Sequence, residues 1–159
     1  MNDVPQRIAP AAIRKTVEVK APITHAFQVF ATRMGEWWHK EHSIARETDQ
    51  KDVVIEPRAG GRWFEIGADG SEHDWGRVLT YEPPHRLLLA WQLTREFQYD
   101  ANFETTVEVR FEERGGLTIV EFEHRDLERM GADAVELFEG MDGGWGMLLG
   151  LFQSKAEEA

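Results

Sequence analysis

Two ionisable side chains stand where the sequence could place proton-transfer chemistry inside the protein. His124 ends a strand-like row that begins at Thr118, and its inward face could let it contact a ligand or move a proton. Glu65 follows Trp63 by two positions, and if that strand face turns inward, its carboxyl group could act as a buried acid or base. The structural alternatives are a histidine hydrogen-bonded at a strand end and a carboxylate exposed to water.

Other catalytic signatures are missing from the sequence. There is no cysteine, which excludes disulfides, thiolate nucleophiles and zinc–thiolate sites. The serines lack a nucleophile elbow, and the glycine pairs lack the residues of a phosphate-binding loop. His39 and His42, with Glu36 or Glu41 nearby, resemble metal ligands, but this spacing is also typical of a solvated helix surface. We therefore assign no catalytic residue, metal site or cofactor from the sequence.

Tryptophan is the stronger functional signal, with 6 in the chain. Large aromatic residues on curved strands can line a cavity for a hydrophobic or aromatic ligand, and plain core packing is the alternative. Arg77 lies two positions after Trp75, so it could bind a ligand carboxylate at the cavity mouth unless it pairs with a surface acid. The candidate ligand-binding residues are Trp38, Trp63, Glu65, Trp75, Arg77, Trp91, His124 and Trp145.

The composition limits which partners the protein can bind and where in the cell it is expected. The 159 residues include 18 Lys and Arg against 29 Asp and Glu, and the formal charge of −11 argues against nucleic acid and anionic membranes. No apolar run approaches the roughly 20 residues that span a bilayer, and the polar N-terminus lacks a signal-peptide core. The sequence predicts a cytoplasmic protein with a flexible leader over residues 1–11 and a single domain over residues 12–155.

Apolar alternation and turn residues predict an antiparallel sheet of about seven strands. Residues 12–20 alternate as a first strand, and six further strands follow the short helices, separated by turn signals. Residues 86–93 are the most apolar of them, which predicts a central position, and Gly76 predicts a bulge. Successive strands joined by short turns give an antiparallel meander.

The helices have to cover one face of this sheet. Pro22 or Thr24 begins a short helix, which breaks near Gly35 into a second turn. Residues 132–155 predict one long helix, whose apolar stripe includes Val135 and whose five glycines suggest close backbone approach, a kink or a movable lid. Because only this helix is large enough to cover the sheet, the prediction is an α+β fold in which a curved sheet wraps around it.

The order and spacing of several segments resemble a known family. They are APITHAF (21–27), PRAGGRW (57–63), DG (69–70), WGRVL (75–79), EPPHRL (82–87) leading to Trp91, HRDL (124–127), and GW (144–145) with Leu148 and Leu151. Together, over about residues 12–155, they resemble the START-like (SRPBCC) superfamily and its branch named for the activator of heat-shock protein 90 ATPase. The resemblance implies the helix-grip fold, with a cavity between the sheet and the C-terminal helix.

The resemblance is not specific for function, because superfamily members bind lipids, hormones or polyketides and a few are enzymes. Our leading hypothesis is a non-catalytic protein that binds a small hydrophobic or aromatic molecule in the cavity. The alternatives are an enzyme of the polyketide cyclase/aromatase or hydrolase type, using His124 or Glu65, and a chaperone-interaction module. The glycine-rich last helix also allows a homodimer.

Overall fold

Alternating burial along the chain builds one antiparallel sheet, which three helices accompany. The computed structural model describes residues 11–131 and 133–158, so residues 1–10 of the predicted leader lie outside the described residues. The strands are β1 (Ile13–Val19), β2 (Gln50–Ile55), β3 (Arg62–Gly67), β4 (Glu72–Glu82), β5 (Arg86–Trp91), β6 (Thr105–Arg114) and β7 (Leu117–Arg125). The helices are α1 (Ile23–Thr32), α2 (Met34–Trp37) and α3 (Val135–Ala156), with a short 3-10 turn over Leu127–Met130.

The seven strands form one sheet in the order β1-β7-β6-β5-β4-β3-β2, with every neighbouring pair antiparallel. β5 is central, as the sequence predicts, and its Leu87 and Leu89 are fully buried. α3 packs on β1 and on both short helices, so the core lies between the inner face of the curled sheet and the helices. The predicted α+β helix-grip fold is confirmed. No helix of the described residues is long and apolar enough to cross a bilayer.

α3 covers the core with only part of its length. Its buried residues start one and a half turns into the helix and are Met141, Trp145, Leu148, Leu149, Phe152 and Ala156. The prediction that Val135 belongs to the buried stripe is wrong, because the first turns extend past the core and leave this side chain 57% exposed. Close backbone approach is also wrong for Gly140, Gly143 and Gly150, where an added Cβ would meet no atom within 4 Å.

The predicted bulge in β4 is confirmed and decides which side chains face inward. Pairing with β3 shifts register between Trp63, opposite Gly76, and Phe64, opposite Asp74, so that Trp75 is the extra residue. A Cβ on Gly76 would lie 1.8 Å from the Ala90 carbonyl oxygen, which only glycine tolerates. The bulge turns Trp75 into the interior. Two positions later, the side chain of Arg77 is exposed to solvent.

Candidate functional site

A cavity of about 440 Å³ lies between the sheet and the first half of α3. Its walls come from the loop after α2, from β4 and β5 with the residues that follow β5, and from α3. Its aromatic lining consists of Trp38, Trp75, Trp91, Phe97 and Trp145, and its aliphatic lining of Ile44, Leu93, Leu137, Met141 and Leu148. Glu41, His42, Ser43 and Glu136 are the polar side chains, and Gly140 and Gly144 complete the helical wall.

Four of the predicted tryptophans meet in this wall although they come from four different elements. The ring centroids of Trp38 lie 4.9 Å from Trp75 and 5.7 Å from Trp145, and Trp91 lies 5.7 Å from Trp145. Trp63 is instead in the layer behind the wall, fully buried and edge-to-face with Trp75 and Trp91 at 5.5 and 5.7 Å. The structure therefore gives Trp63 a supporting position and offers the other four rings to the cavity.

Glu65 also lies behind the wall, where it joins two parts of the lining. It is fully buried, and its carboxyl oxygens accept hydrogen bonds from the Ile44 backbone N–H at 2.7 Å and the Trp75 indole N–H at 2.8 Å. A third bond comes from the Ser43 hydroxyl. Within residues 11–131 and 133–158 no cation pairs with it. This geometry positions the wall and leaves no carboxyl oxygen pointing into the cavity to move a proton.

His124 is fully buried beside the wall, as the inward row predicts. Its Nδ1 accepts a hydrogen bond from the Trp145 indole N–H at 3.1 Å, so the ring proton is on Nε2, which donates to the Thr105 hydroxyl at 2.8 Å. Burial lowers the pKa of His124 to about 3, which keeps the ring neutral. Because both ring nitrogens are occupied, this histidine orients Trp145 and offers no free nitrogen to a ligand.

Arg77 does not reach the cavity, contrary to the sequence prediction. Its guanidinium lies on the outer face and pairs with Glu104 at 2.6 Å. The prediction assumed that Arg77 shares a face with Trp75, but the bulge between them breaks the two-residue alternation. Arg62 on the neighbouring strand β3 also faces outward, and pairs with Asp74 at 2.7 Å.

The mouth carries residues that sequence reasoning did not place at the site. Glu41 and Glu136 are exposed there, and no lysine or arginine in the described part of the chain lines the cavity. The pKa of His42 is lowered, mainly by partial burial and secondly by the charge of the nearby His39, so this imidazole is neutral near pH 7.

The helical spacing of Leu137 and Met141 could have revealed their place in the lining, whereas the loop around His42 has no periodicity that would predict where its side chains point. Among the described residues, no group of three or more acidic or histidine side chains could hold a metal.

Comparisons with known proteins identify solved structures with the same fold. No curated protein matches the chain. The anthrahydroquino-γ-pyrone synthase Txn09 is 32% identical over 90% of this chain and 97% of its own, with a TM-score of 0.62. CalC, a self-sacrificing resistance protein from Micromonospora echinospora, is 30% identical over 91% of this chain and 93% of its own, with a TM-score of 0.65.

More distant structures share the fold alone. The Aha1 dimer from Colwellia psychrerythraea is 15% identical over 93% of this chain and 97% of its own, with a TM-score of 0.66. The family described as activator of Hsp90 ATPase homolog 1-like protein matches residues 20–156, which is nearly all of the chain. The chain therefore belongs to the activator of Hsp90 ATPase homolog 1-like family, within the START-like superfamily.

Proposed function

We propose that this protein binds a planar aromatic molecule in the cavity between the sheet and α3. The observation that carries the proposal is a cavity of about 440 Å³ with four tryptophan rings in its wall. This volume falls within the range of about 300–1,000 Å³ that is usual for small-molecule sites. Burying a flat apolar ligand against such rings would combine the hydrophobic effect with favourable aromatic contacts.

One relative supports an aromatic ligand over a lipid chain. The 32% identical protein is named as a synthase of an anthrahydroquino-γ-pyrone, a name that denotes fused aromatic rings. The lining itself is consistent with this class, because Trp38 and Trp91 each contact Trp145 edge-to-face and the three rings form a continuous aromatic wall on one side of the cavity. The polar mouth has Glu41 and Glu136 and, among residues 11–131 and 133–158, no lysine or arginine, which favours neutral or cationic ligands over anionic ones.

The test uses quinizarin, a neutral dihydroxyanthraquinone, as the probe. Saturable quenching of tryptophan fluorescence and a rise in Tm with probe concentration are expected, because a ligand that prefers the native state stabilises it. Absence of saturable quenching up to the solubility limit of quinizarin would contradict the proposal. Quenching without a Tm rise would indicate surface adsorption and count against it equally.

Two glycines of α3 provide a matched pair of variants. Gly144 lines the cavity, and an added Cβ would lie 3.5 Å from the His42 ring, whereas Gly143 is outside the lining and has open space around it. Leucine at either site should raise helix stability by about 0.8–1 kcal/mol. Only Gly144→Leu should obstruct the cavity and abolish quinizarin binding. Equal affinity of the two variants would place the bound probe elsewhere.

Catalysis is the second candidate, favoured by the 32% identical synthase. The group available to it is His42, which lines the cavity and is held neutral by its lowered pKa, so it could accept a proton from a bound phenol or activated methylene. His42→Gln should then abolish turnover of a polyketide-type substrate, while saturable quenching by quinizarin shows that the cavity is still formed. Turnover by that variant would exclude His42 as the base.

The remaining predictions concern organisation and partners. We propose that residues 12–155 are a single domain, located in the cytoplasm, as the sequence predicts. A homodimer and a chaperone partner also stay predictions. Size-exclusion chromatography with light scattering tests the first, and purification with heat-shock protein 90 tests the second.

A further inference from the structure

Phe97, in the loop between β5 and β6, combines two unfavourable features at the cavity mouth. Its backbone has φ of 57°, in the left-handed region that bulky residues rarely adopt. Its side chain is 42% exposed although it lines the cavity. It takes part in none of the ring pairs found between the other aromatic residues that the structure describes. Core packing therefore does not account for either feature.

The surrounding loop imposes this position on Phe97. The Phe97 N–H donates to the Thr94 carbonyl at 2.8 Å, and the Thr94 N–H donates to the Gln98 carbonyl at 2.9 Å. Between them, Arg95 pairs with Asp133 at 2.9 Å, which links the loop to the segment just before α3. Because these contacts fix the turn from both sides, the left-handed conformation is retained and the ring is held over the mouth.

Tyr99 on the same loop shows that exposure of an aromatic ring does not by itself place the ring at the cavity. It is 41% exposed, nearly the same as Phe97, but it does not line the cavity and its φ is not positive. A strained backbone and an exposed ring facing a cavity thus coincide only at Phe97 within this loop. Strain retained at such a point is characteristic of residues that contact a ligand.

We infer that Phe97 is a specificity-determining contact whose ring covers a bound planar aromatic ligand. This inference rests on the proposed function and adds the residue that closes the tryptophan-lined site from the solvent side. When the ligand is bound, the ring loses its contact with water and gains an aromatic partner. Ligands with an extended flat ring system are then preferred to single-ring or branched apolar molecules, which cannot contact Phe97 and the inner tryptophans together.

The test separates ligand contact from packing by replacing Phe97 with glycine. Glycine adopts the same φ without strain, so the Tm of Phe97→Gly should stay within about 3 °C of the wild type or rise. Its affinity for quinizarin should fall about tenfold or more, because an aromatic contact and its buried area are lost. Phe97→Tyr, which keeps the ring, should restore affinity to within about twofold of the wild type. Tyr99→Ala is the control and should bind as the wild type does.

Each other outcome has a definite meaning. Unchanged affinity of Phe97→Gly overturns the inference while the proposed function stands, and an equal loss in Tyr99→Ala overturns it too, since the effect would then belong to the loop as a whole. A large fall in Tm with normal affinity shows that the ring serves packing. If wild-type protein does not bind quinizarin, the proposed function fails first and the role of Phe97 fails with it.

Discussion

The interior contains two aromatic clusters that are built on different principles. The phenylalanine cluster consists of Phe27, Phe30, Phe111 and Phe152, with Trp37 at its border. Its rings meet mainly edge-to-face at centroid distances of 5.1 to 6.0 Å. The tryptophan cluster consists of Trp38, Trp63, Trp75, Trp91 and Trp145, and it encloses one side of the cavity.

The difference lies in how the rings are held. Phenylalanine has no polar atom, so its rings can move together until space is filled. Each tryptophan carries an N–H, and three of these are fixed by acceptors: the His42 carbonyl for Trp38, Glu65 for Trp75 and His124 for Trp145. These bonds orient the rings, which opposes collapse of the cavity and reduces the ordering required when a ligand binds.

Breaking the phenylalanine cluster should have the largest effect on stability. Phe152 is fully buried between Phe30 and Trp37, so Phe152→Ala should lower the free energy of unfolding by about 3–5 kcal/mol. Urea denaturation measures the loss, and quinizarin affinity of the folded fraction should be unchanged. Val135→Ala, on the exposed start of α3, is the control and should cost less than about 0.5 kcal/mol. A matching loss of affinity in Phe152→Ala would show that the two clusters are not independent.

Acid should weaken the tryptophan cluster before it affects the outer face of the sheet. The folded pKa of His124, about 3, lies below its ordinary 6.5, so the unfolded state binds the proton more readily. Stability from this group is complete above pH 6.5 and falls as pH drops towards 3, by at most about 1.4 kcal/mol per pH unit. Burial would raise the pKa of Glu108 on the outer face, but hydrogen bonds from Arg86, Arg125 and Arg110 lower it to about 2.

The two groups therefore act in different windows of pH. Stability from Glu108 is complete above pH 4.5 and is lost only as pH falls from there towards 2. Urea denaturation between pH 6.5 and pH 4.5 should show a slope due mainly to His124. His124→Gln, which can keep both hydrogen bonds without titrating, should remove this share and leave only the part that comes from the lowered pKa of His42. A flat wild-type profile in this window would contradict the buried neutral histidine.

Removing the acceptor behind Trp75 should cost less but should affect both stability and binding. Glu65→Leu leaves the indole N–H of Trp75 and the backbone N–H of Ile44 without an acceptor, at about 1–3 kcal/mol for an unsatisfied buried group. Quinizarin affinity should fall about tenfold, because the two parts of the wall are no longer held together.

Glutamine is the matched control at this position. Glu65→Gln can accept the same two bonds through its oxygen and donate to the Ser43 hydroxyl, so stability and affinity should stay near wild type. Normal affinity in Glu65→Leu would mean that the tryptophan wall does not depend on its polar support. Calorimetric titration together with urea denaturation decides this.

Sequence periodicity predicts which side chains of both clusters are buried, because burial repeats regularly along strands and helices. The fold and the inward row ending at His124 are predicted this way, and the bulge is predicted from the glycine at position 76 within the strand. The sequence does not predict the outward position of Arg77. A bulge changes which face the following residues occupy, and this depends on the residue at which the pairing of β3 and β4 shifts. Whether Trp63 faces the cavity or supports it depends on packing between elements far apart in sequence. The conformation of Phe97 has no sequence signal, since most left-handed residues are glycine or asparagine.

The smallest expected effect concerns the charge at the mouth, which distinguishes the tryptophan cluster from the closed phenylalanine cluster. Glu136 is exposed at the cavity and should repel a sulfonated quinizarin. Glu136→Gln should therefore improve the affinity for the sulfonate about two- to threefold while leaving neutral quinizarin unchanged, and high salt should remove the difference. Glu139→Gln, one turn along α3 and outside the lining, removes the same charge and should have little effect. Equal improvement in both variants would mean that net charge governs access, because a field that acts only through the cavity mouth must distinguish these two positions.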